Sequence, residues 1–261
     1  MSLKDLLWLW GQDPGTHHEV NDNMWKLPGV NKMEPAEGAK QLGIPNMCRI
    51  AMGSIPAPPF DNEMEKLKDF KKVVWSVIGD ESSARTSNGF SDLDAVLDLK
   101  TKYPTLVGGV MDDFFTPARR ETYTAPMLHQ CAEQLHENGM DLWAVIYEHQ
   151  LDEDILEQLH EFDIVSFWTW KGTNLLDLEK NLEKLESIVT DKQQIYVGCY
   201  FWDYGNKCPM TPELMDHQLA TYKKWLSEGR IKGLIFCSNC IQDIGLETID
   251  TTKKWIEDLD K

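Results

Sequence analysis

The chain has 261 residues, with 26 Lys and Arg against 43 Asp and Glu, a formal net charge of −17. That balance argues against partners held through phosphates, because nucleic acid and anionic membranes call for a basic surface. No apolar run reaches the ~18 residues of a membrane-spanning helix, and the aromatic complement is skewed toward indole, with 10 Trp beside 9 Phe and 7 Tyr.

In chain order, short apolar, β-branched or aromatic runs stand at 6–11, 47–53, 73–79, 106–111, 142–147, 164–169, 195–201 and 231–237. Between them lie amphipathic segments at 34–42, 61–70, 91–102, 123–138, 152–162, 175–191 and 211–229, and a last one at 246–259 closes the chain. Near-continuous apolar strands alternating with helices predict a parallel sheet covered on both faces. Ser91 and Thr211 are placed as helix N-caps, the latter followed by Pro212 and Glu213. Gly139 and Gly229 fall where a left-handed residue ends a helix. Eight strand–helix units in a chain of this length predict an α/β fold, a single (β/α)8 TIM barrel occupying residues 1–261 as one domain. Two small domains, or a doubly wound open sheet, are the alternatives. The latter usually carries a Gly-rich phosphate turn after an early strand, and Gly11-Gln12-Asp13-Pro14-Gly15 is not one.

The six Cys are too few for a disulfide scaffold. Cys237-Ser238-Asn239-Cys240 has a CxxC form without a second pair to complete a zinc site, so reduced, partly buried thiols are expected. The start lacks the pattern of a signal peptide. Met1-Ser2-Leu3 has the form of an expression leader, so the compartment stays open: cytoplasmic if the start is native, periplasmic or secreted if a signal was trimmed.

In a barrel the chemistry lies at the C-terminal strand ends. Strand 1 is followed by Gln12, Asp13, His17 and His18, and strand 3 ends Asp80-Glu81. Strand 4 ends Asp112-Asp113, strand 5 Tyr147-Glu148-His149 and strand 6 Trp168-Thr169-Trp170. Strand 7 ends Trp202-Asp203-Tyr204, and strand 8 leads to Asn239. The links at the opposite mouth are short and carry few aromatics. Acids and indoles thus converge on one face, a combination suited to sugars: flat rings stack on pyranose C–H faces while carboxylates bind hydroxyls. Trp10, Trp168, Trp170, Trp202, Tyr204, Glu81 and Asn239 are the expected substrate-binding residues, whereas Trp75, Trp143, Trp225 and Trp255 are expected in the core.

The Asp112-Asp113 doublet is the sharpest signal. Two acids held close cannot both ionise freely, so one keeps a proton with which to protonate a leaving oxygen while its neighbour orients substrate or balances positive charge. The competing reading has one acid capping the next helix and the other facing water. Glu148-His149 and His17-His18, with Glu81 or Asp113, would be the ligands of a divalent metal in the lesser alternative. Otherwise no cofactor is expected.

With these residues in place, the chain resembles glycoside-hydrolase-type TIM barrels. The run Gly108-Gly109-Val110-Met111-Asp112-Asp113-Phe114 is similar to the strand-4 acidic doublet of O-GlcNAcase-type hexosaminidases. The resemblance covers this motif and the architecture. It implies that Asp112 orients a substrate acetamide and that Asp113 is the general acid/base. Barrel hydrolases that pair the strand-4 acid with a later carboxylate would instead recruit Asp203 or Glu148, and the separation would set retention or inversion. The expectation is a glycosidase with Asp112, Asp113, Glu148 and Asp203 as catalytic candidates and carbohydrate as its partner. A metal-dependent sugar isomerase, epimerase or lyase, or a non-catalytic carbohydrate-binding barrel, is the alternative. Oligomeric state is left open.

Overall fold

A computed structural model of the protein describes residues 2–83, 85, 90 and 92–260. Eight parallel strands close on themselves: β1 (Leu7–Gly11), β2 (Asn46–Arg49), β3 (Lys72–Ile78), β4 (Leu106–Met111), β5 (Asp141–Tyr147), β6 (Ile164–Trp168), β7 (Gln194–Tyr200) and β8 (Gly233–Cys237). Each pairs with its neighbours in sequence, and β8 returns to β1 through Leu7 opposite Leu234. The expected (β/α)8 barrel is therefore what the chain forms.

The outer layer is α1 (Pro35–Leu42), α2 (Asp61–Glu65), α3 (Leu93–Lys102), α4 (Ala125–Glu137), α5 (Leu156–Leu159), α6 (Leu178–Ile188), α7 (Pro212–Glu228) and α8 (Glu247–Asp258). The Thr211 side chain accepts the Leu214 N–H at 3.3 Å and caps α7, which ends on Gly229 at φ 70°. Ser91 lies outside the described residues, and Asp92 stands at the N-cap of α3. Two helices are shorter than the amphipathic pattern predicts. Ahead of α5, Arg120 binds the Glu153 carboxylate at 2.7 Å and the Asp154 carbonyl, so that carbonyl serves a side chain rather than a helical turn. The α2 pattern gives way to turns after Glu65.

The barrel interior is filled by rings lying where the adjacent strand has no side chain. A Cβ on Gly198 of β7 would come within 1.9 Å of the Trp168 ring, and one on Gly233 of β8 within 2.4 Å of the Tyr196 ring. Trp8, Trp143 and Tyr196 form the deeper cluster, with ring centroids 4.7–6.1 Å apart. Trp10 and Trp168 pack 5.3 Å apart above it. The surplus of indole is thus partly structural: Trp75, Trp143 and Trp225 are buried as expected, and Trp255 packs on Phe236. All six Cys are free thiols, Cys208 alone among them exposed.

Candidate active site

Strand side chains alternate between the barrel interior and the helix layer. The last inward position of each strand or of its exit lines one cavity of about 500 Å³ at the C-terminal face. Trp10 and Gln12 come from β1, Met52 from beyond β2, Asp80 from beyond β3, Asp112 from beyond β4 and Tyr147 from β5. Trp168 and Trp170 come from β6 and its exit, Tyr200 from β7 and Cys237 from β8.

Asp113 breaks the alternation. Its φ of 47° lies in the left-handed region that Asp tolerates better than most residues, and this bend lets two consecutive acids line the same cavity. Asp112 accepts the Asp113 N–H at 2.9 Å. Asp113 accepts the Tyr147 hydroxyl at 2.7 Å on Oδ1 and the Glu81 N–H at 3.3 Å on Oδ2. Burial pushes the Asp112 carboxyl well above the usual carboxylate range, helped by the nearby charges of Asp113 and Asp80. Asp113 is also raised by burial, but the hydrogen bond from Tyr147 works against that rise. The donors aimed at Asp113 favour its ionised form, so Asp112 is the member of the pair more disposed to hold a proton.

The strand ends beneath these acids are tied by Arg119, which donates to the carbonyls of Gly79 and Asp80, each at 2.7 Å, and to that of Asp112. Asp80 accepts from the Ser82 hydroxyl at 2.5 Å, the Ser83 hydroxyl at 2.9 Å and the Gly53 N–H at 3.2 Å.

The rest of the lining is largely aromatic. Trp25, in the loop after β1, meets Tyr204 at 5.2 Å nearly edge-on, and Trp170 stacks on Tyr204 at 5.6 Å and 21°. The Tyr204 hydroxyl lies 2.9 Å from Nδ1 of His17, whose Nε2 faces Gln12 Oε1. Burial, with His18 adding to it, pulls the His17 pKa down to about 3. His17 is therefore neutral at ordinary pH. Its Nε2–H donates to the Gln12 oxygen and its Nδ1 accepts the Tyr204 hydroxyl, since an amide oxygen can only accept.

Of the expected residues, Asp112, Asp113, Glu81, Trp10, Trp168, Trp170 and Tyr204 line this cavity. Glu148, Asp203, Trp202 and Asn239 do not, and each is engaged elsewhere. Glu148 follows the inward Tyr147 and so turns outward, where it accepts the Trp170 N–H and the Asn174 amide, both at 2.9 Å. Asp203 sits on a short two-stranded ribbon (Trp202–Asp203 with Cys208–Pro209) and accepts the Asn206 N–H at 3.0 Å and its side-chain amide at 2.8 Å. Trp202 donates its indole N–H to the Trp25 carbonyl at 3.1 Å, holding that loop over the barrel. Asn239 bridges the β8 exit to the Gln12 and Met33 backbone. The Glu148–His149 and His17–His18 pairs do not assemble a shared ligand set: among the described residues no group of three or more His, Cys, Asp or Glu is arranged to hold a metal ion.

Asp80, Tyr147, Tyr200 and Trp25 line the cavity without having been given a role from sequence, and His17, considered only as a metal ligand, lines it as well. Counting in twos from Trp143 and Tyr196 would have selected Tyr147 and Tyr200 over Glu148. Trp25 and His17 carry no such signal, because the segment after β1 places them, His17 in a single helical turn (Thr16–Glu19) and Trp25 in the loop beyond it.

No protein-family model and no curated protein matches the chain. Solved structures do. The spore cortex-lytic enzyme SleL of Bacillus megaterium QM B1551 superposes with a TM-score of 0.61 at 12% identity, covering 100% of this chain and 75% of that one. A probable 2-pyrone-4,6-dicarboxylic acid hydrolase of Acinetobacter baumannii gives 0.57 at 12% identity over 98% and 92% of the two chains. A GH113 β-1,4-mannanase gives 0.54 at 12% identity over 98% and 99%. At these identities the likeness is one of fold. The protein is a TIM barrel with an acid-and-aromatic cavity at its C-terminal face. Among the described residues no helix is long and apolar enough to cross a membrane.

Proposed function

We propose that the protein is a glycoside hydrolase acting in this cavity, with Asp112 and Asp113 as its acid–base pair. The observation that carries the reading is that the buried Asp112 carboxyl, the half-buried Asp113 carboxyl and the rings of Trp25, Trp170 and Tyr204 line one cavity. Its volume of about 500 Å³ lies within the usual range for small-molecule sites. Barrels of the same fold include enzymes named for cortex lysis and for β-1,4-mannan cleavage, which agrees with a polysaccharide or oligosaccharide substrate.

A sugar ring lies against the indoles with its glycosidic oxygen toward Asp112, which holds the proton. Asp112 protonates the leaving oxygen as the bond to the anomeric carbon breaks. Positive charge then develops on the ring and is balanced by the Asp113 carboxylate, kept ionised by the Tyr147 hydroxyl and the Glu81 N–H. Water then attacks the anomeric carbon and gives a proton back to Asp112, which completes the hydrolysis and restores the acid. This inverts the assignment implied by the motif resemblance, which gives the acid role to Asp113.

Two variants assayed on two classes of substrate test both the reaction and the roles. A nitrophenyl leaving group needs no protonation, whereas a sugar leaving group does. Asp112→Asn should slow cleavage of an oligosaccharide by about 10²–10⁴-fold and leave nitrophenyl glycoside cleavage near normal. Asp113→Asn should slow both. The opposite pattern returns the acid role to Asp113, and unchanged turnover in both variants removes the pair from the reaction.

A further inference from the structure

The cavity wall is unbalanced in charge. Asp80, Glu81, Asp112 and Asp113 all line it, no Lys or Arg is among its described lining residues, and none of the four carboxylates takes part in an ion pair among them. The guanidinium of Arg119, whose charge reaches Asp112 and Asp113, spends its hydrogen bonds on backbone carbonyls. Asp112 receives one hydrogen bond among the described residues, from the Asp113 N–H, so the remainder of its carboxyl is free for a donor from the cavity. Asp80 and Asp112 are buried, Asp113 is half-buried and Glu81 is exposed, and Arg119 offsets part of the charge on Asp112 and Asp113. Burying carboxylates with so little counter-charge is costly, and a cationic ligand offsets that cost.

The aromatic lining favours the same kind of ligand by an independent route. Trp25, Trp170 and Tyr204 meet at 5.2–6.5 Å, with Trp25 nearly perpendicular to Tyr204 and Trp170 roughly parallel to it. These rings pack on one another, and the aromatic surface they leave along the cavity carries partial negative charge that favours an ammonium group. His17 adds no positive charge, being neutral between Gln12 and Tyr204. An anionic sugar would meet repulsion from the acids with no cation to hold it. A neutral sugar would stack but leave the acids uncompensated.

We propose that the sugar unit bound in this cavity carries a free, protonated amine, so that the substrate class is an oligosaccharide containing unacetylated amino sugars. This rests on the hydrolytic reading of the same site. The acids bind the ammonium and the neighbouring hydroxyls while the rings cover the apolar ring face.

Calorimetric titration of the full-length wild-type chain with glucosamine, N-acetylglucosamine and glucose tests it, alongside cleavage assays on oligosaccharides of each. Glucosamine should bind at least about tenfold more tightly than either other sugar, roughly 1.4 kcal/mol. Glu81→Gln and Trp170→Ala should each reduce that preference more than they reduce glucose binding. Equal or tighter binding of a neutral sugar, or no measurable binding of glucosamine, overturns the proposal even if neutral oligosaccharides are cleaved, in which case hydrolysis stands. Preferential glucosamine binding without cleavage of any oligosaccharide has the reverse meaning: it retains the ligand class and removes the hydrolytic reading.

Discussion

The two sides of the cavity are built by different means and respond to protons in opposite directions. The acid side, from the ends of β3 and β4, is held by backbone: Arg119 ties three carbonyls together and the left-handed Asp113 turns its carboxyl inward. Its carboxyls are pushed up by burial, so it is most comfortable when protonated. The aromatic side, from the β1 loop and the exits of β6 and β7, is held by side chains packed on side chains, with a His whose burial keeps it neutral. Under the glycoside-hydrolase reading proposed above, the difference corresponds to a division of labour in which the acids act on the bond and the packed rings hold the sugar.

The sharpest way to break that division is kinetic. Asp113→Asn should lower kcat by about 10²–10⁴-fold while sugar binding and thermal stability change little, as measured by steady-state kinetics and calorimetry. A rise in KM with kcat preserved would instead place Asp113 among the binding groups.

Next in size is a change beneath the aromatic side. Gly198→Ala puts a Cβ where the Trp168 ring lies, at 1.9 Å. Overpacking of this kind costs about 1–3 kcal/mol or more, and each kcal/mol lowers Tm by roughly 2–4 °C in a chain of this size. Thermal unfolding should show the loss, and the Trp fluorescence of the native state should shift as Trp168 is displaced. An unaltered Tm would mean that the ring is not seated on β7. A smaller effect follows from Trp170→Ala, which removes a half-buried ring from the cavity wall. KM or Kd for sugar should rise about tenfold, some 1.4 kcal/mol, with kcat nearly unchanged. A matching loss in kcat would place the ring in transition-state stabilisation.

The barrel was legible from sequence because each strand is an apolar run bounded by helix signals, and every one of the eight formed within a few residues of its expected place. The acid doublet was legible as well, since two acids at the exit of a central apolar strand fall at the catalytic end whatever the details. Side-chain direction was less so. Glu148 and Asp203 have the right chemistry at the right strand ends, but one lies a single residue past an inward position and the other lies on a ribbon that leaves the barrel. Trp202 shows the same effect, an indole at a strand end that supports the Trp25 loop instead of lining the cavity. His17 and Trp25 enter through a long connection with one short helical turn, whose path depends on Asn31, Asn239 and Arg49, and no local periodicity encodes that path.

The smallest expected effects test the contrast between the two sides through stability. For Asp112 the folded-state pKa lies above the ordinary 3.8, so its contribution to stability is full below that pH and is lost as pH rises through the folded value. Asp112→Asn removes the need to take up a proton or bury a charge on folding, and its Tm should exceed that of wild type near pH 7, with the gain closing as pH falls toward 3.8. For His17 the sign is reversed. Its folded pKa of about 3 lies below the ordinary 6.5, so its stabilising contribution is full above 6.5 and lost as pH falls toward 3. His17→Gln should therefore lose less stability than wild type over that interval, while Gln can still bond to Tyr204. Because the two groups act against each other in wild type, the total pH profile hides both, and the informative quantity is the difference in Tm between each variant and wild type at every pH. Differences that slope in opposite directions preserve the contrast between the two sides. Parallel slopes would mean that the buried charge is shared across the cavity rather than confined to the acid side.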